Sequence, residues 1–492
     1  MNPRTQPRSS VVMSTLVREY PLSKGMIEMA QKKPKVRKRK VGRKKPAKLG
    51  VENPANRAAD TGRIVSGTDA VTGAEPPAEP KQKSIKETYS SVKETEPAKL
   101  VKTTDTSNEP SISLPQSDID FEAIAEEVMK PVRDLLEYEK KLIKAYEICL
   151  APPEVTVGTT PYEVVWEEDG IRLLHYLPFV EPQDIKTVPL LMVYALINRP
   201  YILDLQPDRS VVRQFLRQGI DCYLIDWGVP DETDKYRDTN DYVNYYIDSI
   251  VDFIRKKHGL ESISILGYCM GGTYSVLYSC LHPEKVRNLI VMAAGIDWSV
   301  PEGMLKIWSD KEHFHVDKIV DAYGNVPGEF LNGAFMMLSP LGNAYTKYLD
   351  MIDKVDDEMF IANFLRMEKW IRDGIPLPGE AYREFIKNAY QENKLVKGEW
   401  VVGGKAAKLE NINMPVLNLI GEKDTLIPPN DSLPLLDHIS SRDKTCISYK
   451  TGHIGLSVGS KLHKEVWPQV VRWLKERSDL QKDNADEHTI EK

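Results

Sequence analysis

Cys269 stands between Gly267 and Gly271 in the stretch Gly267-Tyr268-Cys269-Met270-Gly271-Gly272. The apolar run Ser262–Leu266 leads into it and a helical pattern follows it. A G-x-C-x-G sequence at a strand-to-helix junction is a nucleophile elbow with cysteine where serine usually sits. The spacing has a physical reason. A turn this sharp strains its nucleophile and leaves almost no room for side chains two residues to either side, hence Gly267 and Gly271. It also lifts the sulfur above the sheet edge at the positive end of the next helix, which favours a thiolate. The Met270 N–H then points to where an oxyanion would develop.

A nucleophile so placed needs an acid and a histidine further along the chain, each in a loop after a later strand. Asp424 follows the apolar run Val416–Ile420, and His453 follows Thr445–Tyr449. The order Cys, Asp, His is that of an α/β-hydrolase and not of the other two serine-protease arrangements. His453 is expected to accept the Cys269 proton, with Asp424 orienting the imidazole and stabilising its charged form. The remaining cysteines, Cys149, Cys222, Cys280 and Cys446, read as reduced and inert. They are too few and too scattered for a disulfide framework or a zinc site.

The elements needed to hold these residues are legible. Strand-length apolar runs occur at Pro189–Ile197, Asp221–Trp227, Ser262–Leu266, Leu289–Ala294, Val416–Ile420 and Thr445–Tyr449. Amphipathic helices are predicted at Ser210–Gln218, Asp241–His258 with Gly259 as its stop, Thr273–Leu281 and Leu462–Arg477. Continuous apolar strands alternating with helices predict a parallel sheet covered on both faces. Ahead of it, Tyr162–Trp166 and Ile171–Tyr176 flank Glu168-Asp169-Gly170, a hairpin signal. Before that, a helix is predicted from about Phe121 to Cys149, capped by Asp118 or Asp120, which Pro131 would kink or split. The gap between Asp297 and Met414 is too long for one crossover. It carries helical patterns of its own at Met359–Ile371 and Glu380–Tyr390, and reads as an inserted cap.

The chain of 492 residues is divided by charge. Residues 1–118 hold 23 Lys and Arg against 13 Asp and Glu, with Tyr20 and Tyr89 as the sole aromatics, whereas 119–492 carries a net −16. The first segment cannot bury enough apolar surface to offset the entropy of ordering it, and disorder is expected there. Its Lys32–Lys48 cluster, eleven basic residues in seventeen, suits a polyanion or nucleic acid held through phosphates, or an acidic protein. The expected layout is thus a basic extension over 1–118, hydrolase-fold core over 119–298 and 411–478, a cap or lid over 299–410, and a polar tail over 479–492. No apolar run approaches membrane-spanning length and the first twenty residues lack a secretory h-region. A cytoplasmic protein without metal or organic cofactor is expected.

Several longer strings carry a resemblance. Tyr194-Ala195-Leu196-Ile197-Asn198-Arg199-Pro200, continuing to Pro207, is one; Ile225-Asp226-Trp227-Gly228, the cysteine box and Gly452-His453-Ile454-Gly455 are others. Phe364-Leu365-Arg366-Met367-Glu368-Lys369-Trp370 and Gln391-Glu392-Asn393-Lys394-Leu395 add to them. Over about residues 120–477 the chain resembles the catalytic subunit of polyhydroxyalkanoate synthases, most closely the class III type that works with a second subunit. The resemblance implies polymerisation of (R)-3-hydroxyacyl-CoA, chiefly 3-hydroxybutyryl-CoA, into polyester with release of CoA. By position, Cys269 matches the acylated nucleophile, His453 the base, and Asp424 the carboxylate that helps activate the incoming hydroxyl. A second oxyanion donor beside Met270 is expected from the Ala195–Asn198 loop, with Ile197 N–H as the choice. The cap would be a mobile lid associated with dimerisation. A homodimer, a second synthase subunit and a place at the surface of polyester granules are implied as well. The basic extension is foreign to the shorter family chains. The competing expectations are a cysteine hydrolase, such as a thioesterase or lactone hydrolase, and a non-catalytic granule or nucleoid scaffold.

Overall fold

A computed structural model describes residues 120–185, 188–300 and 302–478. The basic extension with its Lys32–Lys48 cluster, and the polar tail, lie outside the described residues. The centre is an eight-stranded sheet of β1 (Tyr162–Glu168), β2 (Ile171–Tyr176), β3 (Leu190–Val193), β4 (Cys222–Asp226), β5 (Ile263–Tyr268), β6 (Val286–Met292), β7 (Val416–Gly421) and β8 (Lys444–Tyr449). Their order in space is β1-β2-β4-β3-β5-β6-β7-β8. The hairpin β1–β2 is antiparallel and β2 meets β4 antiparallel, while every later pairing is parallel. Asp169 (φ 51°) and Gly170 (φ 78°) form its two-residue turn. Two left-handed residues match the twist of the flanking strands.

Strands β3, β4, β5 and β7 are buried at every residue, as their continuous Val, Ile and Leu content requires of strands covered on both faces. The edge strand β8 alternates half-buried with exposed. The helices flanking the sheet include α2 (Val211–Leu216), α3 (Asp248–His258) and α4 (Met270–Leu281). Gly259, at φ 66°, ends α3 in the left-handed conformation, the usual helix stop. Two expectations fail. The strand foreseen over 189–197 is only Leu190–Val193, its last residues turning off as a loop. The helix foreseen over 462–477 is two, Ser460–Glu465 and Trp467–Glu476. Pro468 has no N–H to give Lys464 O and its ring crowds that carbonyl, so the chain breaks at Val466.

Between β6 and β7 the chain leaves the sheet and folds as helices α5 (Met304–Trp308), α6 (Val316–Tyr323), α7 (Gly328–Met337), α8 (Lys347–Asp353), α9 (Glu358–Arg372) and α10 (Gly379–Phe385). The N-terminal helix α1 (Phe121–Leu150) is capped by Asp120, whose Oδ1 accepts from Ala123 N at 2.9 Å. It carries Pro131 without being split. Its C-terminal end docks through Ala145 onto Met351, Val355, Ile361 and Leu365 of this helical insert. Among the described residues, no helix is long and apolar enough to cross a membrane.

Candidate active site

Strand β5 delivers Cys269 to the sheet's carboxyl end, and α4 starts at the next residue. Cys269 sits at φ 58°, ψ −129°, a backbone conformation that a residue with a Cβ holds only when its surroundings enforce it. Gly271 shows the enforcement. A Cβ there would lie 2.4 Å from Val193 O and 2.5 Å from Tyr194 C, and one on Gly267 would lie 2.5 Å from Ser275 Oγ. The start of α4 is therefore pressed against the loop after β3. That closeness brings Ile197 and Met270 to the same cavity wall as Cys269. Trp227 holds the loop from the other side, its Nε1 donating to Tyr194 O at 2.9 Å. The Met270 N–H, in the first turn of α4, has no intrahelical acceptor of its own.

His453, in the loop after β8, is buried, and its Nδ1 lies 2.7 Å from Asp424 Oδ2. The other oxygen of Asp424 accepts from the N–H groups of Leu426 and Ile427, both at 2.9 Å. The carboxylate is thus fixed by its own loop while one oxygen faces the imidazole. Cys269 is close enough to act on the protonation of His453. Burial disfavours the imidazolium, but the Asp424 carboxylate and then the Cys269 sulfur favour it more strongly. The balance raises the His453 pKa to about 10. Cys222 and Cys280 are buried and their thiols are pushed up by desolvation.

Tyr268 is a contributor the sequence did not disclose. Its hydroxyl donates to His453 O at 3.0 Å, and its ring stacks on the imidazole with centroids 5.3 Å apart at 25°. In the sequence it was only the spacer inside G-x-C. A buried tyrosine beside a nucleophile, needing a partner for its hydroxyl, is the signal that could have found it.

Cys269 lines two cavities. One, of about 140 Å³, is almost wholly apolar and lies between the elbow and the insert, with Trp308, Phe335, Leu377 and Tyr390 in its wall. The other, of about 440 Å³, is bordered by His453, Asn198, Asn332, Asn343 and Lys347. The insert that closes over both is tied down by residues of the recurring strings. Trp370 Nε1 donates to Arg199 O at 2.9 Å and Tyr201 donates to Asp373 at 2.8 Å. Asn393 spans the insert's two ends, accepting from Trp298 N at 3.0 Å and donating to Asp297 Oδ1 at 2.7 Å.

Residues 188–460 match the alpha/beta hydrolase fold family, and 132–215 match the N-terminal region of poly-beta-hydroxybutyrate polymerase (PhaC). A poly(3-hydroxyalkanoate) polymerase subunit PhaC from Haloferax mediterranei is 49% identical over 338 residues, covering 69% of this chain and 68% of that protein. One from Allochromatium vinosum is 42% identical over 348 residues, 71% of this chain and 98% of that one. One from Synechocystis is 42% identical over 353 residues, 70% and 93% respectively. With a buried imidazole–carboxylate pair beside an elbow cysteine, and relatives at 42–49% identity matched over 68–98% of their own length, the chain belongs to the PhaC family of poly(3-hydroxyalkanoate) polymerases, on an alpha/beta hydrolase fold.

Proposed function

We propose that this polymerase works by covalent transfer of a hydroxyacyl group through Cys269, with His453 as proton carrier and Asp424 as its orienting carboxylate. The sulfur attacks the thioester carbonyl of an (R)-3-hydroxyacyl-CoA. The oxyanion is met by the N–H groups of Met270 and Ile197. The carbon–sulfur bond to CoA breaks, and the departing thiolate takes the proton from the His453 imidazolium. A histidine whose protonated form is favoured by both Asp424 and Cys269 is suited to that donation. Acylation then removes the sulfur's charge and one of the two influences holding the proton. His453 becomes a base and takes the proton of the next 3-hydroxyl, whose oxygen attacks the acyl-cysteine. A new ester forms and the thiolate returns.

The observation that carries this reading is a strained cysteine that lines both cavities and is backed by the 2.7 Å His453–Asp424 pair. Asp424 acts on the hydroxyl through His453, since its two oxygens are already taken by the imidazole and by two backbone N–H groups. The smaller cavity supports a short acyl unit. An apolar cavity of about 150 Å³ accepts benzene, with six heavy atoms, and 3-hydroxybutyryl has six. The larger, more polar cavity suits the entering thioester arm. The insert over residues 299–410 acts as a lid that keeps water from the acyl-enzyme. The working unit is a homodimer that joins a second synthase subunit at the granule surface in the cytoplasm.

The test supplies (R)-3-hydroxybutyryl-CoA to the purified chain, alone and with a candidate second subunit, and follows CoA and insoluble polyester. CoA release with polymer, both lost in Cys269→Ala, is expected. Release of CoA with only soluble hydroxybutyrate would sink the polymerising mechanism in favour of hydrolysis.

A further inference from the structure

In the wall of the smaller cavity the hydroxyls of Thr273 and Ser309 are spent on backbone carbonyls, Gly295 O at 3.0 Å and Lys306 O at 3.2 Å. A 3-hydroxyl turned into it would exchange water for almost wholly apolar surroundings, which is costly. The oxygen on C3 is also where each unit joins the rest of the polyester. A cavity of about 140 Å³ holds one unit and no chain, so that oxygen must face the larger one, of about 440 Å³. Asn198 stands there with its amide unused. It is 8% exposed, and among the described residues its side chain makes no hydrogen bond, which is rare for a buried amide. Its Oδ1 lies under the insert, 3.1 Å from where a Cβ on Gly374 would stand. The other asparagines of this cavity differ. Asn332 Nδ2 donates to Ile371 O at 2.9 Å, and Asn343 Nδ2 to Phe335 O and Met336 O, both at 3.3 Å. Asn198 also directly follows Ile197, whose N–H is assigned to the oxyanion, and C3 is two bonds from the carbonyl carbon.

We propose that the Asn198 amide reads the substrate's 3-oxygen, Nδ2 donating to it while the alkyl end of the acyl unit fills the apolar cavity. The inference rests on the reading of Cys269 as the acylated nucleophile and adds a specificity determinant to it. The donor end of the amide is the one required. The 3-oxygen is a hydroxyl in the free thioester but an ester oxygen, without a proton, once the unit carries chain. An N–H can bond to both. The contact also selects the hand at C3. With the carbonyl oxygen at Met270 and Ile197 and the methyl in the apolar cavity, one enantiomer turns its oxygen to Asn198 and the other turns a hydrogen there.

The test compares (R)-3-hydroxybutyryl-CoA, its (S) form and butyryl-CoA as acyl donors to Cys269, by rapid-quench measurement of CoA released in the first turnover. Asn198 stands at φ 64°, so Asn198→Gly removes the amide without straining the left-handed backbone. Asn198→Asp keeps the shape and withdraws the donor. Each variant should cut the preference for (R)-3-hydroxybutyryl over butyryl about ten- to hundredfold, as a buried polar group left unpaired does. The gap between (R) and (S) should narrow with it. An equal loss on all three thioesters would place Asn198 on the thioester arm or in the folding of its loop, and overturns the proposal. A selective loss in Tyr382→Phe with none in Asn198→Gly would move the 3-oxygen into the smaller cavity, whose wall includes Tyr382, and overturns it too. Both outcomes leave covalent transfer through Cys269 standing. No first-turnover release from the unaltered chain with any of the three defeats that reading and this one together.

Discussion

The elbow and the joint that carries the insert lie close together in the fold but are built on opposite principles. At the elbow each group named above has a partner or a wall. Asp424 is held by two backbone N–H groups and the imidazole, and His453 by Asp424 and by Tyr268, which stacks on its ring. At the joint, polar side chains such as Asn393, Trp370 and Tyr201 bridge insert and core, and apolar packing of Trp370, Tyr382 and Phe385 into the main core holds the rest. One buried carboxylate oxygen there, Asp431 Oδ1, has no hydrogen-bond partner. The contrast teaches that hydrogen bonds fix position where bonds are made and broken, while apolar packing holds the insert over the cavities.

Breaking the fixed side should have the largest effect. Asp424→Asn keeps an acceptor for Leu426 and Ile427 but removes the charge that raises the His453 pKa. Polymerisation should fall about 10³- to 10⁴-fold, as when the acid of a comparable triad becomes an amide. Tm should change little. Equal activity in pre-steady-state CoA release would show that the carboxylate does not act through His453. Gly271→Ala comes next. Its Cβ would meet backbone at 2.4–2.5 Å, which cannot swing aside, so the elbow itself must move. A stability loss of about 1–3 kcal/mol and at least tenfold slower acylation are expected, read by denaturation and by burst amplitude. Wild-type acylation would show that the elbow tolerates displacement.

How much of this contrast the sequence discloses follows from the range of the forces involved. The elbow is local: Gly267, Cys269 and Gly271 lie within five residues, and their steric logic needs only the strand before and the helix after. Asp424 and His453 could be placed because each follows an apolar run of strand length. The joint is not local. Asn393 reaches back to Asp297 and Trp298, and Trp370 to Arg199. No periodicity encodes such pairs, although the strings containing them stood out. The apolar face of α1 shows a different limit. Its apolar residues predicted a helix with a face to bury, but a sequence does not say whether that face meets its own core or lies open. The C-terminal helix was drawn through Val466 because apolar spacing outweighed Pro468, one residue whose missing N–H decided the matter.

Loosening the joint should act on binding more than on chemistry. Asn393 stands at φ 50°, so Asn393→Gly removes both tethering bonds without adding backbone strain. Leaving Trp298 N unpaired in a buried place costs about 1–3 kcal/mol, to be seen as a lower Tm. If the insert positions substrate, KM for the CoA thioester should rise several-fold with kcat changed less. The reverse pattern would assign the joint a role in chemistry and erase the distinction between the two regions.

The smallest effect is the most specific. Asp431 is 1% exposed. Its carboxyl pKa is pushed up to about 7, first by burial and then by the negative charges of Asp297, Glu302 and Asp424, with Lys306 as a partial counterweight. An unfolded aspartate titrates near 3.9, so between about pH 4 and pH 7 the folded chain holds a proton that the unfolded chain has released. Stability from this group is therefore fully present below pH 4 and is lost as pH rises towards 7. Asp431→Asn removes the charge at nearly constant shape. It should raise Tm at pH 8, where the wild-type carboxylate is ionised and crowded by like charges, and leave Tm unchanged at pH 4, where it is already neutral. A gain of equal size at both pH values would trace the effect to a new amide hydrogen bond at Oδ1. The joint would then be short of a donor, with no burden of charge, and its looseness would be independent of pH.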